Sequence, residues 1–154
     1  MLSVLLIVHG LIAVALLGAI THQTLAVIAP PRRRSGVLVN RFRAVSGAAF
    51  ANTIVLLYVA STVLGGLIYL WFRTDIRPDL ERAGQWAAIG VFDLKEHFVV
   101  IGLSLLPAYW MCWRRPSLDV PPQTRVALTA TLAFIVWWGF IVGHVLNNIL
   151  GFGR

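Results

Sequence analysis

The sequence predicts an all-α protein, an integral membrane four-helix transmembrane bundle. Composition is the first reason, because 58% of the 154 residues are hydrophobic, 12% are charged and the mean hydropathy is +0.81, values far from those of a soluble domain. Apolar runs of the roughly 20 residues that a spanning helix needs are the second. The third is that arginines cluster at the ends of these runs, as topology signals do. The net charge of +7 therefore indicates a lipid bilayer and no nucleic acid as the partner.

Four apolar runs account for the chain and leave no segment for a soluble domain. Each run ends where prolines or charged residues begin, which sets the ends of the predicted helices. We therefore predict a single transmembrane domain over residues 1–154 with helices at about 2–28, 48–72, 87–113 and 126–150.

The loops between the runs differ in charge, and this predicts the orientation. The first loop holds five arginines and the third holds three, whereas the three arginines of the second loop are interleaved with acidic residues. Because short cytoplasmic loops carry the excess of arginine and lysine, both termini are expected on the non-cytoplasmic side, with a bacterial inner membrane as the expected location. The arginines of the first loop are Arg32, Arg33, Arg34, Arg41 and Arg43.

Four histidines lie within the apolar runs: His9 and His22 in the first, His97 in the third and His144 in the fourth. An ionisable residue inside a membrane is a functional hypothesis by default, and imidazole is a common ligand of haem iron and other metals. Counting about 1.5 Å per helical residue from the cytoplasmic ends places three of the four in the outer third of the bilayer. His22 falls in the inner half, where it would form an interhelical hydrogen bond or line a polar pocket.

The neighbours of the outer histidines favour a binding site. Asp93 precedes His97 by four residues and so shares its helical face, as a carboxylate that fixes an imidazole would. Gly10 follows His9 and Gly143 precedes His144, and small residues let a flat ring or another backbone approach closely. These observations indicate that a cofactor or another helix contacts the outer histidines.

A b-type haem between two helices needs one histidine from each at matched depth, and any two of His9, His97 and His144 meet that condition. The separation of His9 and His22 by thirteen residues resembles the paired-histidine helices of membrane di-haem cytochromes b, and the four-helix layout is similar to that of cytochrome b561-like proteins. The resemblance implies a haem ligand role for these histidines. The third and fourth runs have no inner histidine, so a second haem is not expected.

On the haem hypothesis the protein passes electrons between a quinone or another membrane donor and an outer-side partner, which would make it a membrane oxidoreductase. Cationic side chains near the outer surface could pair with haem propionates. They are Arg73, Arg77 and Lys95.

Two other classes of function remain open. One is a mononuclear copper, zinc or iron site made by the three outer histidines with Glu96 or Asp93. The other is a non-catalytic subunit or assembly factor of a larger respiratory or redox complex. A quinone pocket, in turn, could involve Glu96, Tyr58, Tyr69 and Asn52.

Overall fold

The computed structural model describes residues 2–28, 47–115 and 119–150, and every regular element in these ranges is helical. The fold class is therefore all-α, as predicted. The first-loop arginines from Arg32 to Arg43 and the terminal Arg154 lie outside the described residues. A π-helical turn, Phe72–Ile76, connects the second helix to the third. The helices are α1 (Leu2–Ile28), α2 (Gly47–Trp71), α3 (Arg77–Arg82), α4 (Trp86–Arg114) and α5 (Pro122–Leu150).

Three helical segments among the described residues are long and apolar enough to cross a membrane: Leu2–Ile28, Gly47–Arg82 and Pro122–Asn148, with mean hydropathies of 2.5, 2.0 and 2.0. This is consistent with an integral membrane protein. The prediction of four such helices is met in part, because α4 is not among the three. Asp93, Lys95 and Glu96 interrupt the apolar run of α4.

The long helices form a ring in which α1 packs between α2 and α5, and α4 packs against the other sides of the same two helices. Hydrogen bonds between distant residues show that neighbours run antiparallel. Gln23 near the end of α1 bonds to Gly47 at the start of α2, and Trp113 near the end of α4 bonds to Thr129 near the start of α5. The ends of α1 and α4 therefore lie beside the starts of α2 and α5 at one end of the bundle, and the two ends of the bundle are described separately below.

The half that contains the end of α1 and the start of α5, here called the packed half, has a continuous core. Leu16, Ile20, Ile54, Tyr109 and Leu132 are almost fully buried in it. Burial of such side chains stabilises a soluble fold strongly, but in lipid the packing and hydrogen bonds must hold helices together.

Gln23 supplies such bonds. Its Nε2 donates to the carbonyl of Gly47 at 2.8 Å, and its Oε1 accepts a hydrogen bond from the hydroxyl of Tyr109. The indole of Trp137 on α5 donates to the hydroxyl of Thr21 on α1 at 3.0 Å. The end of α1 is thus tied to all three other long helices.

The π-helical turn and α3 fold over the opposite end of the bundle. Phe72 and Leu80 pack against Phe92 and a few apolar residues of α4 and α5, and the rings of Phe72 and Phe92 stack with centroids 3.9 Å apart. Gly84 closes the turn between α3 and α4 with a φ of +67°, a conformation that glycine adopts without strain. This cap covers the half of the bundle in which the candidate site lies.

Candidate functional site

A cavity of about 250 Å³ lies among the four long helices in the half of the bundle under the cap, here called the cavity half. Apolar side chains form most of its wall. Besides Asn147 at the rim, the polar part of the wall consists of two histidines, a lysine, a glutamate and three hydroxyls. They are His9, Tyr58, Ser61, Thr62, Lys95, Glu96 and His144.

Tyr58 separates the cavity from the packed half. Its side chain is buried, and its hydroxyl donates to the carbonyl of Val99 at 2.9 Å, which ties α2 to α4. A Cβ atom on Gly102 would overlap that hydroxyl. Glycine at this position therefore lets the tyrosine reach the backbone of α4.

Glycines create much of the open space. Gly10 on α1 and Gly139 and Gly143 on α5 all line the cavity, and a Cβ atom at any of them would meet nothing within 4 Å. In the packed half the same two helices contribute the fully buried side chains of Ile20 and Leu132 to the core. The glycines of α1 and α5 therefore leave space that larger side chains would occupy; the expected close approach of a cofactor or another helix to Gly10 and Gly143 stays a prediction.

His9 has an unsatisfied polar atom in the cavity wall. Its Nδ1 is buried and forms no hydrogen bond with any described residue, and its Cε1 lies 3.4 Å from the position that a Cβ of Gly65 would occupy. A buried polar atom without a partner costs about 1–3 kcal/mol. Such an atom in a cavity wall points to a ligand that supplies the missing bond.

His144 lies at the rim. Its side chain is exposed, its ring is parallel to that of Phe140 with centroids 6.0 Å apart, and its Nε2 accepts a hydrogen bond from Asn148 at 3.1 Å. Asn147, also part of the lining, is exposed as well. The cavity therefore opens to the bundle surface beside the C-terminal part of α5.

His97 is not at the cavity, although the sequence predicted a common site with His9 and His144. The ring is exposed, and its Nδ1 donates to the backbone carbonyl of Asp93 at 2.7 Å. The prediction that the Asp93 carboxylate holds this imidazole is wrong, because that carboxylate accepts hydrogen bonds from Arg77 at 3.3 and 3.4 Å. The rotation of α4 turns Phe92, Lys95 and Glu96 inward and His97 outward.

The charged residues of the predicted sites are likewise separated. Lys95 and Glu96 line the cavity and form an ion pair of 2.6 Å. Arg73 is exposed on the π-helical turn, and Arg77 is bound to Glu81 and Asp93, so neither lines the cavity.

The predicted three-histidine metal set is not assembled in the described residues. No group of three or more His, Cys, Asp or Glu side chains among them is arranged to hold a metal ion. The reason is the outward position of His97 and the engagement of Asp93 with Arg77.

Of the residues proposed for a quinone pocket, Tyr58 and Glu96 line the cavity. Tyr69 stacks on Phe92 with centroids 6.0 Å apart, and Asn52 accepts a hydrogen bond from Trp110 at the bundle surface. His22 stacks on Phe50 in the packed half, with centroids 4.9 Å apart.

Two hydroxyls of the cavity wall, those of Ser61 and Thr62, were not among the predicted site residues. A signal existed in the sequence, because both follow Tyr58 at helical spacing and so share its face.

The chain matches no protein-family model, no curated protein and no solved structure. The resemblance to cytochrome b561-like proteins therefore stays a prediction, and the function has to be inferred from the cavity.

Proposed function

We propose that all four long helices cross the bilayer, with both termini on the non-cytoplasmic side. The ring arrangement supports this, because α4 packs between α2 and α5. The charged residues of α4 support it as well: Arg114 and Arg115 follow its last apolar residues, while Lys95 and Glu96 line the cavity and do not face lipid. In this orientation the cavity lies in the outer half of the membrane.

We infer that the cavity binds the ring of a quinone or quinol. The observation that carries this proposal is the unpartnered Nδ1 of His9 in the wall of a cavity of about 250 Å³. An imidazole nitrogen can donate to a quinone carbonyl or accept from a quinol hydroxyl. The cavity is slightly smaller than the roughly 300–1,000 Å³ of drug-sized ligand sites, which suits the head group of a single-ring quinone.

The other features of the cavity support the same ligand. The hydroxyl of Ser61 can donate to a ring oxygen, and the hydroxyl of Thr62, which donates its proton to the carbonyl of Tyr58 at 2.9 Å, can accept a hydrogen bond from a quinol. The wall is otherwise mostly apolar, and the opening beside His144 and Asn147 lies at the bundle surface. The isoprenoid tail of a quinone would leave through this opening and lie among lipid chains.

The protein would then act as a quinone-binding component of a membrane electron-transfer system. On oxidation of a bound quinol, two electrons would pass to an outer-side redox partner, and the two protons of the ring hydroxyls would leave through the cavity wall to water. Glu96 and Lys95, which form an ion pair in the cavity wall, are the chain's own groups placed to exchange protons with the ring oxygens.

Haem b held by His9 and His144 is the second candidate, favoured by one observation: both imidazoles border the same cavity. A b-type haem between two helices needs one histidine from each, and His9 on α1 and His144 on α5 supply that number. The Nε2 of His144, however, is bound to Asn148, and the cavity of about 250 Å³ is smaller than even the roughly 300–1,000 Å³ of drug-sized ligand sites, which leaves too little space for a tetrapyrrole. A bound quinone ring requires neither the release of His144 from Asn148 nor a larger cavity.

A pair of glycines on α1 tests the quinone proposal. Gly10 lines the cavity and Gly18 does not, yet a Cβ atom added at either position would meet nothing within 4 Å. Leucine at Gly10 would therefore fill the cavity, while leucine at Gly18 would only add apolar surface. The purified protein and both variants are titrated with a short-tailed ubiquinone analogue, and quinone that co-purifies is extracted and quantified.

We expect wild type and Gly18→Leu to bind the analogue and to retain extractable quinone, and Gly10→Leu to do neither. His9→Ala should weaken binding about fivefold, as expected for one hydrogen bond of about 1 kcal/mol. Equal binding by the two leucine variants would refute the cavity as the site. A Soret band in the wild type that disappears in His9→Ala and His144→Ala would establish the haem candidate instead.

A further inference from the structure

Two of the three hydroxyls in the cavity wall donate their protons to the backbone. The Tyr58 hydroxyl donates to the carbonyl of Val99, and the Thr62 hydroxyl donates to the carbonyl of Tyr58, each at 2.9 Å. A hydroxyl carries one proton, so both oxygens can only accept a hydrogen bond from a ligand. Of the three hydroxyls, that of Ser61 is the one that can donate to a ligand.

The ion pair in the cavity wall offers a further acceptor. The Nζ of Lys95 lies 2.6 Å from a carboxylate oxygen of Glu96 and 4.3 Å from the centroid of the Phe92 ring. The ammonium is therefore engaged by the carboxylate and by an aromatic face. An ionised carboxylate has two oxygens, which accept hydrogen bonds and donate none. Inside the rim formed by His144 and Asn147, the polar wall thus has more acceptors than donors for a ligand.

The two redox forms of a quinone differ in their hydrogen bonds. The ring carbonyls of a quinone only accept, whereas the two hydroxyls of a quinol can donate. His9 can bind one ring oxygen of either form, because a neutral imidazole carries its proton on either nitrogen. The second ring oxygen therefore decides between the forms. A carbonyl beside the Glu96 carboxylate would leave two acceptors unpaired, whereas a hydroxyl there would form a charge-assisted hydrogen bond.

We propose that the cavity binds the quinol in preference to the quinone, and that the Glu96 carboxylate is the acceptor that selects the quinol. This inference rests on the proposed function, which places a quinone ring in the cavity. One hydrogen bond to a charged group gives a preference of about ten- to a hundredfold. The two-electron potential of the bound couple would then be about 30–60 mV above that of the free couple. Quinol is thus the substrate that the site takes up, and quinone is the product that it releases.

Separate titrations with the two redox forms under anaerobic conditions test the proposal. The short-tailed ubiquinone analogue and its quinol are each titrated into purified wild type, Glu96→Gln and Glu81→Gln. Glu81→Gln is the matched control, because the Glu81 carboxylate forms an ion pair of 2.9 Å with Arg77 and does not line the cavity. Gly10→Leu reports how much of each form enters the detergent micelle without using the cavity.

We expect wild type and Glu81→Gln to bind the quinol about ten- to a hundredfold more tightly than the quinone. In Glu96→Gln the quinol should bind more weakly and the quinone more tightly. The reason is that an amide can donate to a ring carbonyl, and that the Lys95 ammonium, once released from the carboxylate, can donate as well. A loosened fold would weaken the binding of both forms, so opposite changes in the two affinities identify the carboxylate as the selecting group.

The remaining outcomes separate failure of the inference from failure of the proposed function. Wild type that binds the quinone as tightly as the quinol, or more tightly, while Gly10→Leu binds neither, would refute the inference and keep the cavity as a quinone site. Parallel changes of both affinities in Glu96→Gln would refute selection by this carboxylate. If wild type binds neither form, or if Gly10→Leu binds both as wild type does, the proposed function fails and the inference fails with it.

Discussion

Replacing Gly102 by alanine should destabilise the bundle by disrupting the contact of Tyr58 on α2 with α4. A Cβ atom there would overlap the Tyr58 hydroxyl oxygen and lie 2.8 Å from its Cζ and 3.3 Å from Cγ2 of Ile135. Overpacking of a closed core costs roughly 1–3 kcal/mol. If the ring moves away, the bond to Val99 is lost as well, at a cost of about 0.6–1.7 kcal/mol in a membrane.

The assay is reversible unfolding in mixed detergent micelles, with Gly90→Ala as the matched control. Gly90 lies on the exposed face of the same helix, with nothing within 4 Å of an added Cβ. The control should be neutral or stabilising by up to about 1 kcal/mol, the difference in helix propensity. Tyr58→Phe in the Gly102→Ala background should recover part of the loss, because it removes the overlapping oxygen. Additive effects of the two substitutions, or equal stability of the two alanine variants, would refute this steric explanation.

Three further predictions concern other parts of the molecule. Gln23→Leu should lower the free energy of unfolding by about 1–3 kcal/mol, because the Gly47 carbonyl and the Tyr109 hydroxyl lose their hydrogen bonds. Thr24→Val should have a smaller effect, because the Thr24 hydroxyl bonds within its own helix. Equal effects of the two substitutions on unfolding in micelles would contradict this. Asp93→Asn should change the free energy of unfolding by less than about 1 kcal/mol, because the ion pair with Arg77 is about one-third exposed and screened by salt. A larger loss, or a loss that added salt does not reduce, would contradict this and show that the cap depends on the ion pair. A topology reporter fused after Arg154 should report the non-cytoplasmic side, and cytoplasmic reporting would refute the orientation.

The approximate ends of the four long helices could be predicted from the sequence, because runs of apolar residues mark them directly. The predicted helix at 126–150 begins at Pro122 in the structure, because hydropathy marks only the apolar part of a helix and misses a polar first turn that begins with proline, a residue favoured at the first helical position. His9 and His144 were grouped in the sequence by depth, which follows from residue counting along a helix, and both line the same cavity. Gly10 and Gly143 were singled out because they are small residues beside these histidines, and both line the cavity.

The orientation of α4 could not be predicted, because polar residues occur on two of its faces. His97 shares one face with Asp93, while Lys95 and Glu96 share another, and hydropathy alone does not say which face meets the core. The bond between Gln23 and Tyr109 spans 86 residues of sequence and depends on how three helices pack. Such long-range pairs become visible only in the folded structure.

Nitrogen NMR of histidine-labelled protein, titrated with the short-tailed ubiquinone analogue, tests the central claim most directly. The side-chain signals of His9, His22 and His97 are assigned by single substitutions. If the unpartnered Nδ1 of His9 binds a ring oxygen, its signal should shift on titration while those of His22 and His97, which do not line the cavity, stay in place. A titration in which the His9 signal does not move, or in which all three move together, would contradict a quinone site at this cavity.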